Sequence, residues 1–104
     1  MSLVKVDLDE QYSLDLEKEV WERIRFIGEI LGVRFWNVVF WDSKGGNTHV
    51  TATVEGIVRK LSDREVIVLQ LALGSDYKRE IYNLRRLWRG QKNWNILFRH
   101  ERIG

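Results

Sequence analysis

Between Asp15 and Leu31 apolar side chains recur at Leu16, Val20, Ile24, Ile27 and Leu31, a 3.6-residue period that predicts an amphipathic helix. Asp15, Glu17 and Glu19 load its first turns, where the helix dipole favours negative charge, and Gly32 is placed to end it in the left-handed conformation. From Val33 the pattern changes. Val-Arg-Phe-Trp-Asn-Val-Val-Phe-Trp (33–41) is rich in β-branched and aromatic residues and predicts a strand with two largely apolar faces. Asp42 to Asn47 supplies the consecutive glycines and the Asn that a chain reversal needs. Residues 48–60 then alternate, with His49, Thr51, Thr53 and Glu55 on one side and Val50, Ala52 and Val54 on the other.

Pairing Trp41 with Thr48 sets Val39 opposite Val50, Asn37 opposite Ala52 and Phe35 opposite Val54 on a core face. The other face becomes a mixed field, with Arg34 opposite Glu55, Trp36 opposite Thr53 and Phe40 opposite His49. Ser62-Asp63 reads as a second tight turn, into a third strand over 64–73. Pairing Leu61 with Arg64 brings Val58 to Ile67, Val54 to Leu71 and Ala52 to Leu73, extending the core face. Asp76 caps a second helix over 77–89, closed by Gly90, with a core stripe of Tyr77, Ile81, Leu84 and Trp88. Residues 94–99 form a last strand with Trp94, Ile96 and Phe98 on one face, and residues 3–8 are an edge strand or a loose arm. The expectation is an α+β domain spanning residues 1–104, in the order α-β-β-β-α-β, with a twisted antiparallel sheet of about four strands.

Composition narrows the chemistry. The chain has no cysteine, which excludes disulfides, thiolate metal sites and thiol nucleophiles. No apolar run approaches ~18 residues and the first residues lack a signal-peptide core, so the cytoplasm is the expected compartment and no membrane partner is expected. Absent Cys and Pro, with many Glu, Lys and Arg, agree with a thermophilic source. The net charge of +2 is unevenly spread. Residues 1–32 carry four basic and eight acidic side chains, whereas residues 77–104 carry eight basic and two acidic. This asymmetry implies either internal charge matching or a localised anion-binding surface.

Enzymatic signals are weak. His49 and His100 are isolated from second ligands at metal spacing, and neither a phosphate loop nor a dinucleotide glycine signature occurs. The element order is shared with restriction-endonuclease-like nucleases, but these need an acidic residue on the second strand and an acidic-x-Lys triplet on the third. Glu55 fits the first requirement, and Val68-Leu69-Gln70 stands where the triplet is needed. No catalysis, cofactor or metal is expected.

Five Trp, four Phe and three Tyr exceed what one small core requires. Single-strand binders stack bases on such rings and follow phosphates with Lys and Arg. Arg34, Trp36, Phe40, His49 and Arg59 on the mixed sheet face are one candidate group. Lys78, Tyr82, Arg85, Arg89, Lys92, Trp94 and Arg99 in the basic C-terminal third are the other. The competing explanation is that a helix or a second subunit covers the sheet-face aromatics, and that Tyr82 is an ordinary exposed tyrosine.

The aromatic strand 34–41, the amphipathic helix before it and the Arg-rich helix 77–89 together resemble the ThermoDBP family of single-stranded DNA-binding proteins from thermophilic archaea. The resemblance implies an antiparallel sheet with helices, not an OB-fold, and an aromatic, basic cleft that holds single strands without sequence choice. That strand is expected to be DNA, with RNA as the second option. A C-terminal leucine zipper has no counterpart in this sequence up to Gly104. A homo-oligomer is therefore expected to form through the domain surface, to which Trp21 and Phe26 on the flanks of the first helix also point. The alternative function is an oligomeric interaction module without nucleic acid.

Overall fold

A computed structural model of the protein describes residues 1–43, 45–97 and 100–102, the last three by backbone alone. Its elements are β1 (Ser2–Leu8), α1 (Leu14–Leu31), β2 (Val33–Ser43), β3 (Thr48–Gly56), α2 (Asp63–Ala72), α3 (Tyr77–Trp88) and β4 (His100–Arg102). The class is α+β. The strands lie in the order β1-β3-β2-β4, with each neighbouring pair antiparallel. β1 and β2 therefore run parallel with β3 between them, and α1 crosses from one to the other as a split β-α-β unit.

α1 follows its periodicity. Ser13 Oγ accepts from Leu16 N at 3.0 Å, and Gly32 closes the helix at φ 65°. Leu16, Val20 and Ile24 are buried and Ile27 packs against them, but Leu31 overhangs the core and stays exposed. They meet Val4, Val6 and Leu8 of β1 together with Val50 and Val54 of β3, as the alternation predicts. Burying each such side chain contributes roughly 1.5–3 kcal/mol. Residues 3–8 are a full strand: Val4 pairs with Ala52 and Val6 with Val50.

The third strand expected over 64–73 is instead α2. Ser62 Oγ accepts from Glu65 N at 3.2 Å while Glu65 Oε1 accepts from Ser62 N at 2.8 Å, a reciprocal capping box. Val66, Ile67 and Val68 each lose only a few tenths of a kcal/mol of helix propensity, less than the cap contributes. Helical spacing also buries Val66, Ile67, Leu69 and Leu73 together. The expected pairings of Leu61 with Arg64, Val58 with Ile67, Val54 with Leu71 and Ala52 with Leu73 are thus overturned, and β1 takes that place beside β3. β3 stops at Gly56, where a Cβ would lie 2.0 Å from the Arg59 carbonyl oxygen, and Val58 beyond it is 94% exposed.

The expected strand over 94–99 is also displaced. Residues 94–97 have no regular structure, with Trp94 buried in the core, and Phe98 and Arg99 lie outside the described residues. Strand β4 comes later, pairing Ser43 with His100, Asp42 with Glu101 and Trp41 with Arg102.

The outer edge of β1 is closed by side chains. Lys5 N donates to Gln70 Oε1 at 2.9 Å and Asp7 N to Ser75 Oγ at 3.0 Å. Lys5 O accepts from Arg79 Nη1 at 2.7 Å, Leu3 O from Asn95 Nδ2 at 3.1 Å, and Asp7 O from the Asp76 amide at 2.7 Å. Glu80, 1% exposed, organises these donors. Its Oε1 accepts from Gln70 Nε2 at 2.6 Å and Asn83 Nδ2 at 3.1 Å; its Oε2 accepts from Ser75 Oγ at 2.6 Å and pairs with Arg79 Nη1.

This network sets the orientation of α3. Its bounds match the sequence reading, but its buried face is Arg79, Glu80 and Asn83. The expected core stripe is inverted: Tyr77, Ile81 and Trp88 face solvent, and only Leu84 packs partly against the core. Unpaired strand groups and a buried guanidinium each cost more than an exposed apolar side chain, so the polar face turns inward. Replacing Glu80 by Gln keeps the shape but strands Arg79. A loss of about 3–5 kcal/mol in urea unfolding is expected.

Candidate nucleic-acid interface

The Cα atoms span 33 × 32 × 19 Å, a thickness that holds one sheet and one helical layer. The core packs on one sheet face. On the other, the register aligns Leu3, Thr53 and Trp36 in one row, then Lys5, Thr51 and Val39, then Asp7, His49 and Trp41.

The pairing begins as expected, with Arg34 opposite Glu55, Phe35 opposite Val54 and Trp36 opposite Thr53. It slips by one residue between Trp36 and Val39, at a bulge where Asn37 takes φ 54°. Past it, Phe40 pairs with Val50 and Trp41 with His49, so the expected pairs Trp41–Thr48 and Phe40–His49 do not form. Phe40 turns into the core, edge-on to Tyr12 with ring centres 6.2 Å apart. Trp41 replaces it on the outer face, its Nε1 donating to Thr51 Oγ1 at 2.8 Å. Mid-strand Asn is the sequence signal for this exchange, because it tolerates the left-handed region.

The face is open at one end. There the Arg34 guanidinium sits 5.0 Å from the centre of the partly exposed Trp36 ring, and its ion pair to Glu55 is long at 3.8 Å. At the other end His49 is only 2% exposed, with Nε2 3.5 Å from Asp7 Oδ1, so it presents no surface to a ligand. Beside the open end a cleft of about 470 Å³ is lined by Leu3, Lys5, Lys60, Lys92 and Asn95, with Asp63 its acidic member. Lys5 Nζ donates to Asn95 O at 2.9 Å, and burial, then the nearby Arg79, lower its pKa. An anion in the cleft would reverse that shift. Lys5 and Lys60 were not among the expected residues; they lie on segments far apart in the chain that only the fold brings to one cleft.

The remaining candidates scatter. Arg59 is tied to Glu65 by bonds of 2.8 and 2.5 Å, which with the Ser62 amide hold the Glu65 carboxyl down at about 2. It serves the α2 cap and is not free on the sheet face. Trp94 is a core residue, and Arg99 lies outside the described residues. Lys78, Tyr82, Arg85 and Arg89 are exposed together on α3, on the side turned away from the β1 edge. The structure therefore keeps Arg34 with Trp36 at the open sheet end, puts Lys92 in the cleft two strands away, and sets the α3 group on a separate surface. Among the described residues no group of His, Asp or Glu is arranged to hold a metal ion, and no helix is long and apolar enough to cross a membrane.

Comparison with protein-family models, with curated proteins and with solved structures returned no match.

The bulge makes a direct forecast. Asn37→Val forces a β-branched residue into the left-handed region and should cost about 1–2 kcal/mol in chemical unfolding, whereas Asn37→Gly should stay within about 0.5 kcal/mol of the parent.

Proposed function

We propose that this domain binds single-stranded nucleic acid, DNA before RNA, with little sequence preference and without catalysis, in the manner of the ThermoDBP family it resembles. The observation that carries the reading is the Arg34–Trp36 pair at the open end of the sheet face, two strands away from a lysine-lined cleft. Neighbouring strands lie about 4.8 Å apart, so the ring and the Leu3 rim of the cleft are separated by roughly 10 Å. A base stacks on Trp36 while the backbone crosses Thr53 and Leu3 toward Lys5, Lys60 and Lys92. Stacking is indifferent to base identity because every base has a π-face, and the lysines read only phosphate. Neither contact needs a metal or a cofactor.

Titration of intrinsic Trp fluorescence with oligo-dT at two salt concentrations tests the reading. Trp36→Ala is expected to weaken binding by about 1–3 kcal/mol and leave the salt dependence unchanged. Lys60→Ala combined with Lys92→Ala should flatten the slope of log K against log salt by about 1.4, roughly 0.7 for each lost phosphate contact. Failure of the wild-type protein to retain labelled oligo-dT at low salt would sink the proposal.

A further inference from the structure

Lys78, Tyr82, Arg85 and Arg89 follow one another at helical spacing and form a single exposed stripe along α3. From Lys78 to Arg89 it runs roughly 16 Å. Tyr82 stands in the middle of it, 57% exposed. No carboxylate shares the arc. Glu80 is the one acidic residue of α3, and it is buried against Arg79. Lys78, Arg85 and Arg89 have no ion pair among the described residues. A face that merely meets water mixes both signs, as α1 does with its exposed Lys18, Glu22, Arg25 and Glu29. The α3 stripe carries one sign alone.

The stripe also adjoins the lysine-lined cleft. On the flank of α3 beside it, Arg79 Nε donates to Ile96 O at 2.8 Å and Asn83 Oδ1 accepts from Ile96 N at 3.3 Å. Ile96 belongs to the segment 92–97, which forms one wall of that cleft. At the end of the helix Arg89 precedes the cleft residue Lys92 by three positions, a reach of at most roughly 11 Å.

We infer that a single strand held at Trp36 and in the cleft continues past Lys92 along α3, with Arg89, Arg85 and Lys78 on its phosphates and Tyr82 beneath a base. The inference rests on the nucleic-acid reading above and gives the ligand a length. At the roughly 3.4 Å spacing of stacked nucleotides the stripe holds about five of them, beyond those at the sheet and in the cleft. A strand too short to pass Lys92 never reaches it. The occupant is thus an extended polyanion with stacking faces, which matches both the charge of the stripe and its central ring.

Fluorescence anisotropy of end-labelled oligo-dT tests this with one strand of about 6 nucleotides and one of about 14, both within the span of compact single-strand binders. In the wild type the slope of log K against log salt should be steeper for the longer strand by about 2, from three added phosphate contacts. Arg85→Ala with Arg89→Ala should flatten that slope by about 1.4 for the longer strand and leave the shorter one unchanged. Tyr82→Ala should weaken the longer strand about fivefold or more at an unaltered slope. Lys18→Ala with Arg25→Ala removes the same charge from α1 and should leave both slopes at the wild-type value. Circular dichroism checks that each variant keeps the fold. Equal wild-type slopes for the two strands, or an α3 double variant that behaves like wild type on the longer strand, would overturn the inference and leave the Trp36 and cleft contacts standing. So would a double variant that lowers the mass in light scattering at an unaltered slope, since the stripe then serves a second copy of the chain. Wild-type protein that retains neither strand would remove the nucleic-acid reading and this inference with it.

Discussion

A β-strand at the border of a sheet presents a row of backbone donors and acceptors that water, another strand or side chains must satisfy. In this protein β1 is that strand, and side chains satisfy most of it. Gln70, Ser75, Arg79 and Asn95 bond its outward groups, joined by the Asp76 amide, and Glu80 holds three of those four side chains through its two carboxylate oxygens or their neighbours. A carboxylate and a guanidinium buried together tolerate no half measures, because loss of either leaves the other charged in a dry site. The network recruits Gln70 from α2, Arg79, Glu80 and Asn83 from α3, and Asn95 from the segment beyond.

The exposed surfaces follow from that arrangement. Because α3 spends its inward side on polar bonds to β1, its aromatic and cationic side chains are left to solvent. With the helices packed over one sheet face and along the β1 edge, the opposite face keeps Trp36 accessible. Two surfaces of different character therefore occupy one small domain. One is the Trp36 ring beside a lysine-lined cleft; the other is the outer side of the helices, where Phe26, Ile81 and Trp88 are exposed.

How much of this was legible varied with how local the determining interaction is. α1 was legible because its stripe, acidic first turns and terminal glycine agree, and only Leu31 at the end of the stripe departs by staying exposed. The hairpin was legible up to Asn37. Beyond it the bulge reversed the facing of Phe40 and Trp41, and only a left-handed residue inside a strand hinted at that. α2 was misread through its run of β-branched residues, although Ser62 and Glu65 stand at capping-box spacing. α3 shows the deeper difficulty. Its apolar stripe at Tyr77, Ile81, Leu84 and Trp88 is the best amphipathic signal in the C-terminal half, yet the buried side is the charged one. The reason lies about 70 residues away, in the unpaired edge of β1. The Lys5–Lys60–Lys92 cleft was invisible for the same cause, since its members meet only once the sheet forms.

The central claim is that polar side chains from the helices complete β1 as a neighbouring strand would. Native-state hydrogen exchange of the Lys5 and Asp7 amides measures this most directly, as their acceptors are Gln70 Oε1 and Ser75 Oγ. Both amides should exchange only through global unfolding, with protection equal to that of the Val50 and Val54 amides in the sheet interior. Exchange of Lys5 and Asp7 at rates typical of an open strand edge, while Val50 and Val54 remain protected, would contradict it.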